Sequence, residues 1–240
     1  MMASIEQSFG DTAKSAPTSA AGTVYDALRR KIVSLDYPPG TSLSRNALAQ
    51  EYGVSLTPVR EAMQRLEEDG LLRIMPQSGT VVNRIDVDQL YETQFLRIAV
   101  ETEVVRRLAL APQPTIQGRA RAIVRMQETL VGDTEQMGMF YELDRAYHRT
   151  LFAGVGMTNL QQMLVRRMGH LLRCQRLDLP SEGKMADIVD HHKRILTGIE
   201  TGDALAATEA MRSHLSGTIS RLDVLRARFP DHFSEPAPDG

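Results

Sequence analysis

The chain has 240 residues, of which 42% are hydrophobic, so it suits two domains and can bury a sizeable core. Its net charge of −2 means that any binding to nucleic acid must depend on a local basic patch and not on the overall charge. The sequence has no apolar run of about 18 residues, which excludes a transmembrane span. Cys174 is the single cysteine, which excludes an internal disulfide and predicts a cytoplasmic protein.

The first part of the chain predicts an unstructured arm followed by three short helices. Residues 1–22 are rich in Ser, Ala, Thr and Gly and have no periodicity, which predicts a disordered arm. A helix capped by Thr23 follows, and Ser44 caps a second helix. Thr57 is predicted to cap a third helix, which places Pro58 at its first helical position.

Two short strands follow the third helix. Residues 71–74 and 80–82 have the composition of strands, and the Pro- and Gly-containing residues 76–79 join them as a hairpin turn. The order of helix, helix, turn, helix and hairpin predicts an N-terminal winged helix-turn-helix over residues 23–84.

The remainder of the chain predicts helices throughout. The predicted spans are 87–110, 115–132, 135–155, 157–178, 182–201 and 203–228. Six or seven helices over residues 85–230 predict an all-helical antiparallel bundle, followed by a tail over residues 231–240, so the fold class is mainly α. The connecting segment Arg84-Ile85-Asp86 is too short for a free linker, which predicts that the two domains are mechanically coupled.

Side chains suited to DNA contacts collect around the third helix. Ser55, Thr57 and Arg60 lie at its N-terminal end, where free N–H groups and the helix dipole favour phosphate oxygens. Arg60 can also pair with a guanine edge, and Gln64 lies one turn further along the same helix. Further candidates are Arg29 and Arg45 for phosphates and Gly79 for a close backbone approach to the minor groove.

Ordered motifs run through this front domain. They are Pro39-Gly40-Thr41-Ser42-Leu43, Leu48-Ala49, Gly53-Val54-Ser55, Pro58-Val59-Arg60-Glu61-Ala62-Met63 and Asp69-Gly70-Leu71. The stretch 23–83 therefore resembles the GntR family of bacterial transcription regulators, which implies a recognition helix in the major groove and dimers on two-fold symmetric operators. Leu56 and Asn46 stand where family members usually have Arg, so the operator sequence does not carry over, and Leu56 is interpreted as a contact to a thymine methyl group.

Four polar residues in the helical part predict a metal site. Asp144 and His148 are four residues apart and share one helix face, while His192 and His214 fall on two later helices. One carboxylate and three imidazoles favour a divalent transition metal such as Zn, Ni or Mn, with one or two open coordination positions. His192 lies nearer the centre of its apolar face than His191 does, so His192 is the predicted ligand. The alternative for these residues is a set of satisfied core histidines.

The spacing of these residues also matches a known domain. The carrying motifs are Arg97-x-x-x-Glu101, Asp144-x-x-x-His148-x-x-Leu151, His192-x-x-Ile195 and Met211-x-x-His214-Leu215. They resemble the FCD ligand-binding domain of the FadR subfamily, which implies that the Asp and the three His hold a metal and that a small carboxylic acid completes its coordination. Arg97 with Glu101 is the predicted effector-binding pair, and the alternative for Arg97 is an i,i+4 ion pair with Glu101 alone.

These features predict a homodimeric DNA-binding transcription regulator, interpreted as a repressor that a small carboxylic-acid metabolite releases from double-stranded operator DNA. A membrane partner and an enzymatic activity are not expected. One alternative is a metal-dependent hydrolase with an accessory DNA-anchoring domain, which would need a general base beside the metal. Another is an architectural protein whose bundle only dimerises, which would leave the four metal-type residues without a role.

Overall fold

The computed structural model describes residues 19–75 and 79–234, and it is mainly helical, as the sequence predicts. The helices are α1 (Ala20–Val33), α2 (Arg45–Tyr52), α3 (Leu56–Glu68), α4 (Val87–Leu110), α5 (Pro114–Thr129), α6 (Met137–Gly154), α7 (Thr158–Arg167), α8 (Gly169–Asp178), α9 (Lys184–Glu200), α10 (Ala204–Ser216) and α11 (Leu222–Arg228). The strands are β1 (Ser42–Leu43), β2 (Leu72–Met75) and β3 (Gly79–Val82), and 3₁₀ turns lie at Thr134–Gln136, Ile219–Arg221 and Pro230–His232. Across the two described ranges, no helix combines the length and the apolar composition that crossing a bilayer requires.

The first three helices and the sheet form the predicted winged helix-turn-helix. The sheet is antiparallel in the order β1-β3-β2, and β1 is an addition to the predicted strands, since two residues are too few to show a periodic pattern. Val59, Met63 and Leu66 of α3 are fully buried in one cluster with Leu28 and Ile32 of α1. Their spacing of three and four residues gives each helix one apolar face, and burial of these faces forms the core of this domain.

The first helix begins earlier than the sequence predicts. Ser19, and not Thr23, caps α1, because the Ser19 hydroxyl accepts a backbone N–H from the first turn at 3.1 Å. The extra residues bury Ala21, so packing adds to the high helix propensity of alanine. The predicted disordered arm is therefore wrong from Ala20 onward, and its residues 1–18 lie outside the described part of the chain.

The third helix also begins before its predicted cap. It starts at Leu56, so Ser55 takes the capping position and Thr57 lies inside the first turn. Pro58 is then the third helical residue, which is tolerated because N–H groups of the first turn have no acceptor within the helix. The predicted cap of α2, Ser44, is confirmed.

Helices α4 to α11 form the predicted helical bundle, but two of the predicted helices are each divided. The span 157–178 is broken between α7 and α8 just before Gly169, where a Cβ atom would lie 2.7 Å from the Leu71 side chain of the front domain. The span 203–228 is broken after Ser216, where a 3₁₀ turn separates α10 from α11. Contacts between distant parts of the chain can end a helix at such points, and the periodicity of the sequence gives no information about these contacts.

Part of the predicted tail is folded. Phe233 is buried and forms a parallel bridge with Ile85, whose backbone N–H donates to the His232 carbonyl oxygen at 2.7 Å. Ile85 is fully buried in the segment between the two domains, and His232 and Phe233 cover this junction. Residues 235–240 of the predicted tail lie outside the described part.

The connecting segment is also held from the bundle side by α8. The Arg173 side chain is fully buried and donates to the backbone carbonyl oxygens of Asn83 at 2.6 Å and Arg84 at 3.2 Å. His170 Nδ1, one turn earlier, accepts the Asp86 backbone N–H at 2.9 Å. A buried guanidinium is costly unless its donors are satisfied, so these contacts fix the path of the chain between the domains.

Helices α9 and α10 approach each other closely at Gly198. A Cβ atom at this position would lie 2.6 Å from the backbone nitrogen of Ala207. The missing side chain therefore lets the two backbones come into contact, and this contact sets the separation between the helices that carry His192 and His214.

We expect Gly198→Ala to lower the free energy of unfolding by about 1–3 kcal/mol, because the added methyl group meets the α10 backbone. Gly118 in α5 is the matched control, since nothing lies within 4 Å of its Cβ position. Gly118→Ala should raise the free energy of unfolding by about 0.5–1 kcal/mol through helix propensity. Urea unfolding followed by circular dichroism measures both, and stabilisation by both substitutions would contradict the close packing of α9 on α10.

Candidate functional site

The structure brings together the four residues that the sequence singles out as metal ligands. Asp144 and His148 extend from α6, His192 from α9 and His214 from α10, and one donor atom of each lies within 4.8 Å of the others. The His148 and His214 Nε2 atoms are 3.1 Å apart, and His192 Nε2 is 3.5 Å from Asp144 Oδ1. Two ligands bound at about 2.1 Å to one ion are at most about 4.2 Å apart, so this cluster has nearly the size that a metal site requires.

His192 is held by a hydrogen bond on the side away from the cluster. Its Nδ1 is 2.8 Å from Gln127 Oε1, which can only accept, so Nδ1 carries the proton and Nε2 has a free lone pair. This Nε2 is buried and has no hydrogen-bond partner among the described residues. Burial, and then the neighbouring His148, lower the pKa of His192 well below its usual value, so a proton is a poor partner for the lone pair. A lone pair that faces the Asp144 carboxylate favours a cation between them.

His148 is supported in the same way by Glu101. Glu101 Oε2 lies 2.6 Å from His148 Nδ1, and Glu101 Oε1 accepts from Arg97 Nε at 2.7 Å. Burial opposes ionisation of Glu101, but the Arg97 guanidinium and His148 outweigh it and lower the pKa of this carboxyl to about 2. Glu101 is thus an ionised carboxylate that faces His148 Nδ1, while His148 Nε2 lies on the other side of the ring, 3.1 Å from His214 Nε2. A carboxylate behind a ligating histidine is common in metal sites.

The structure therefore places Glu101 behind the cluster and in contact with Arg97. The i,i+4 ion pair that the sequence leaves open as an alternative role for Arg97 is present, and both side chains are buried. Arg97 nevertheless lines two cavities beside the cluster, together with Asp144. Pairing with Glu101 and contact with a ligand are compatible, because only Nε of the guanidinium is used for the ion pair.

Two supporting residues were missed by the sequence reasoning. Gln127 follows Ala120, Ile123 and Val124 on one buried face of α5, so a polar residue at helical spacing on an apolar face was the available signal. Tyr147 stacks on the His192 ring with a centroid distance of 3.8 Å, and its hydroxyl donates to the His192 carbonyl oxygen at 3.1 Å. An aromatic residue on an apolar face gives no such signal.

Two small cavities flank the cluster. The first, of about 40 Å³, reaches from Arg97, Asp144 and His214 to Gln175 and Lys184. The second, of about 30 Å³, extends from Arg97, Asp144 and His148 to Gln175 and Val165. Space for a small molecule therefore adjoins the four converging side chains. Gln175 and Lys184 were not among the predicted effector residues.

The residues predicted to contact DNA largely share one surface. Ser55, Leu56, Thr57, Arg60 and Gln64 are exposed on or beside α3. Arg45, Leu56, Arg60 and Gly79 line one open cleft between the N-terminal ends of α2 and α3 and the start of β3. Leu56 is 44% exposed although it is apolar, which leaves it free for an apolar group such as a thymine methyl.

Arg29 lies elsewhere, at the junction of the two domains. Its guanidinium donates to the Val165 carbonyl oxygen at 2.6 Å and to that of Arg166 at 3.3 Å. These carbonyls belong to the last turn of α7, where the helix dipole favours a cation. In this arrangement the Arg29 side chain is engaged with the bundle and is not free to reach a phosphate.

Comparison with known proteins agrees with this division of the chain. Residues 20–82 match the family model described as bacterial regulatory proteins, gntR family, and residues 89–217 match the FCD domain.

Several relatives match over most of their length. An HTH-type transcriptional regulator in an unstable DNA locus of Streptomyces ambofaciens is 34% identical over 214 residues, which cover 89% of both chains. The HTH-type transcriptional repressor RspR of Escherichia coli strain K12 is 31% identical, with 88% of this chain and 92% of that protein covered. The gluconate operon transcriptional repressor of Bacillus subtilis is 24% identical, with 82% of this chain and 83% of that protein covered.

Solved structures share the fold. Escherichia coli McbR/YncC matches with a TM-score of 0.70 at 21% identity and covers 88% of this chain and 99% of its own. A GntR transcriptional regulator from Rhodococcus sp. RHA1 matches with a TM-score of 0.68 at 21% identity and covers 86% of this chain and 99% of its own.

We expect His192→Ala to abolish binding of zinc or nickel, while Gln127→Leu should weaken it by about 10–100-fold because the imidazole loses its orienting partner. His191 is the matched control, since its Nε2 contacts Ser213 Oγ at 3.3 Å and it is not part of the four-residue cluster. Elemental analysis and titration against a chelator measure the affinities. Equal metal binding by the His192 and His191 variants would refute the site.

Proposed function

The chain belongs to the GntR family of bacterial transcription regulators and carries an FCD domain, and we propose that it is a homodimeric repressor released from its operator by a small carboxylic acid. The observation that carries the ligand-sensing part of this proposal is the cluster of Asp144, His148, His192 and His214, whose potential ligand atoms converge beside two cavities. A regulator of this kind acts on the bacterial chromosome, so we also propose that it works in the cytoplasm and is not an enzyme.

The winged helix-turn-helix would supply the contacts to the operator. Arg60 is exposed in the first turns of α3 and lines the same cleft as Arg45 and Gly79. This cleft would offer DNA two guanidinium groups and, at Gly79, a backbone that a strand can approach closely. Two half-sites related by two-fold symmetry need two copies of this domain, which supports a homodimer. Phe95 on α4 is 78% exposed and is available to a second copy.

The cluster would hold a divalent transition metal, of which Zn, Ni and Mn all accept these donors. A bound metal of this kind supplies open coordination positions for a carboxylate. Arg97 lines both cavities and is suited to the same carboxylate, because its fork can donate two hydrogen bonds. These residues together favour a small carboxylic acid over a neutral ligand.

Repression is supported by relatives that carry that name. RspR of Escherichia coli is called a transcriptional repressor, and the Bacillus subtilis relative is called the repressor of the gluconate operon. Release by a ligand requires only that it favours one arrangement of the domains, and a coupling free energy of about 1–3 kcal/mol is typical of such switches.

No specific observation favours a metal-dependent hydrolase. Its general base would have to be Glu101, and this carboxylate is fully occupied by Arg97 and His148 with a pKa of about 2. A carboxylate held in the ionised form by two partners is a weak base near neutral pH. A purely architectural role leaves the convergence of the four residues without a cause.

We expect Arg60→Ala to weaken binding to the promoter next to its own gene by at least about 100-fold, because the proposed bidentate contact to a base and the steering charge would be lost together. Arg119→Ala is the matched control, since Arg119 is exposed on α5 and removes the same charge from the bundle. Gel-shift titrations measure the affinities, and equal losses for the two variants would contradict the assignment of the α3 surface to DNA.

The effector response is tested on metal-loaded protein with a panel of small organic acids. We expect at least one acid to raise the melting temperature and release the promoter fragment. Arg97→Lys keeps a positive charge beside Glu101 but lacks the planar fork, so it should weaken acid binding by about tenfold and leave metal content unchanged. Release of DNA by no acid, with or without metal, would overturn the proposal.

A further inference from the structure

Lys184 lines the larger of the two cavities beside the metal-type cluster. It is the first residue of α9, its side chain is 11% exposed, and it lines this cavity together with Arg97, Asp144 and His214. Its ammonium group lies 2.7 Å from Asp178 Oδ2. A lysine that is largely removed from water on a cavity wall is unusual unless it has anionic partners.

Asp178, the ion-pair partner of Lys184, also contacts a second cation. Asp178 is fully buried, and its other oxygen, Oδ1, lies 2.9 Å from Arg221 Nε. One carboxylate thus faces two cations, so the group carries one surplus positive charge. Lys184 can turn toward a ligand in the cavity while Asp178 keeps Arg221, which avoids the large cost of a stranded buried carboxylate.

The charges around the cavity match a ligand with two negative groups. On the cluster side, Asp144 and Glu101 contribute two negative charges and Arg97 one positive charge. A divalent cation held by neutral imidazoles would turn this side from one net negative to one net positive charge. With such an ion bound, the surplus charge from Lys184 would bring the total around the cavity to two positive charges.

The geometry of α9 adds to the same effect. Lys184 and Ile188, one turn apart at the start of this helix, both line the cavity. The N-terminal end of a helix carries partial positive charge, so the wall that presents the Lys184 ammonium group also favours anions through the backbone.

We propose that Lys184 is a second anion-binding residue and that the effector is a short dicarboxylate. One carboxylate would lie beside Arg97 and the cluster, and the other would bind the Lys184 ammonium group across the cavity. The small size of this cavity, about 40 Å³, favours a short diacid over a long one. This inference rests on the proposed function, because it assumes that the metal-loaded cavity takes a carboxylic acid.

The test compares diacids with monoacids of equal chain length on the metal-loaded, full-length protein. Calorimetric titrations would pair malonate with propionate, succinate with butyrate and glutarate with valerate. We expect one diacid to bind at least about tenfold more tightly than its monoacid partner, as a second charge-assisted contact would give. In Lys184→Met this preference should fall below about twofold, and metal content should stay unchanged.

Two further variants keep the result interpretable. Lys193→Met is the matched control, since Lys193 is exposed on the same helix and pairs with Glu128 away from the cavity. The double variant Asp178→Asn with Lys184→Met removes both charges of the pair and leaves Arg221, whose side chain is 39% exposed, to be solvated by water. It should fold if the single variant does not, and it should lose the same preference.

The outcomes distinguish a failure of the proposed function from a failure of the inference about Lys184. Failure of every monoacid and diacid to bind the metal-loaded protein would overturn the proposed function itself. Equal affinity for diacids and monoacids in the wild type would overturn this inference alone. A preference for diacids that persists in both Lys184 variants would also overturn it, and would leave the acid-binding cavity in place.

Discussion

The site depends on two hydrogen-bond acceptors that lie behind it. Gln127 accepts the Nδ1 proton of His192 and Glu101 faces Nδ1 of His148, so both rings turn their Nε2 atoms toward the interior of the cluster. In a low-dielectric interior, such converging electron-rich atoms repel one another unless a cation lies among them. The supporting residues Gln127 and Glu101 therefore determine what the four clustered side chains can bind, and the bundle must hold both sets of residues in place.

The parts of the site that could be predicted from the sequence are those with a local signal. Asp144, His148 and His192 each interrupt an apolar helical face, and a polar residue at such a position needs a partner. Lys184 and Arg173 gave no such signal, because their partners are a buried carboxylate on another helix and backbone carbonyls about 90 residues earlier in the chain. Spacing along a helix contains no information on contacts of that kind.

The same division explains which features of the fold were predicted. The order of elements follows from periodicity and turn residues, and in the winged helix-turn-helix it was predicted except for the two-residue strand β1. The boundaries were less certain, because Ser19 and Thr23 are nearly equal caps in isolation and only the burial of Ala21 favours the earlier one. The break before Gly169 likewise depends on the approach of Leu71 from the other domain.

One residue of α7 belongs to both halves of the molecule. The Val165 side chain lines the smaller cavity beside His148 and Glu101, while its backbone carbonyl accepts the hydrogen bond of Arg29 from the first helix of the DNA-reading domain. A ligand in this cavity that shifts the α7 backbone at Val165 would also move the oxygen that accepts from Arg29. A single peptide unit therefore connects the wall of this cavity to the winged helix-turn-helix.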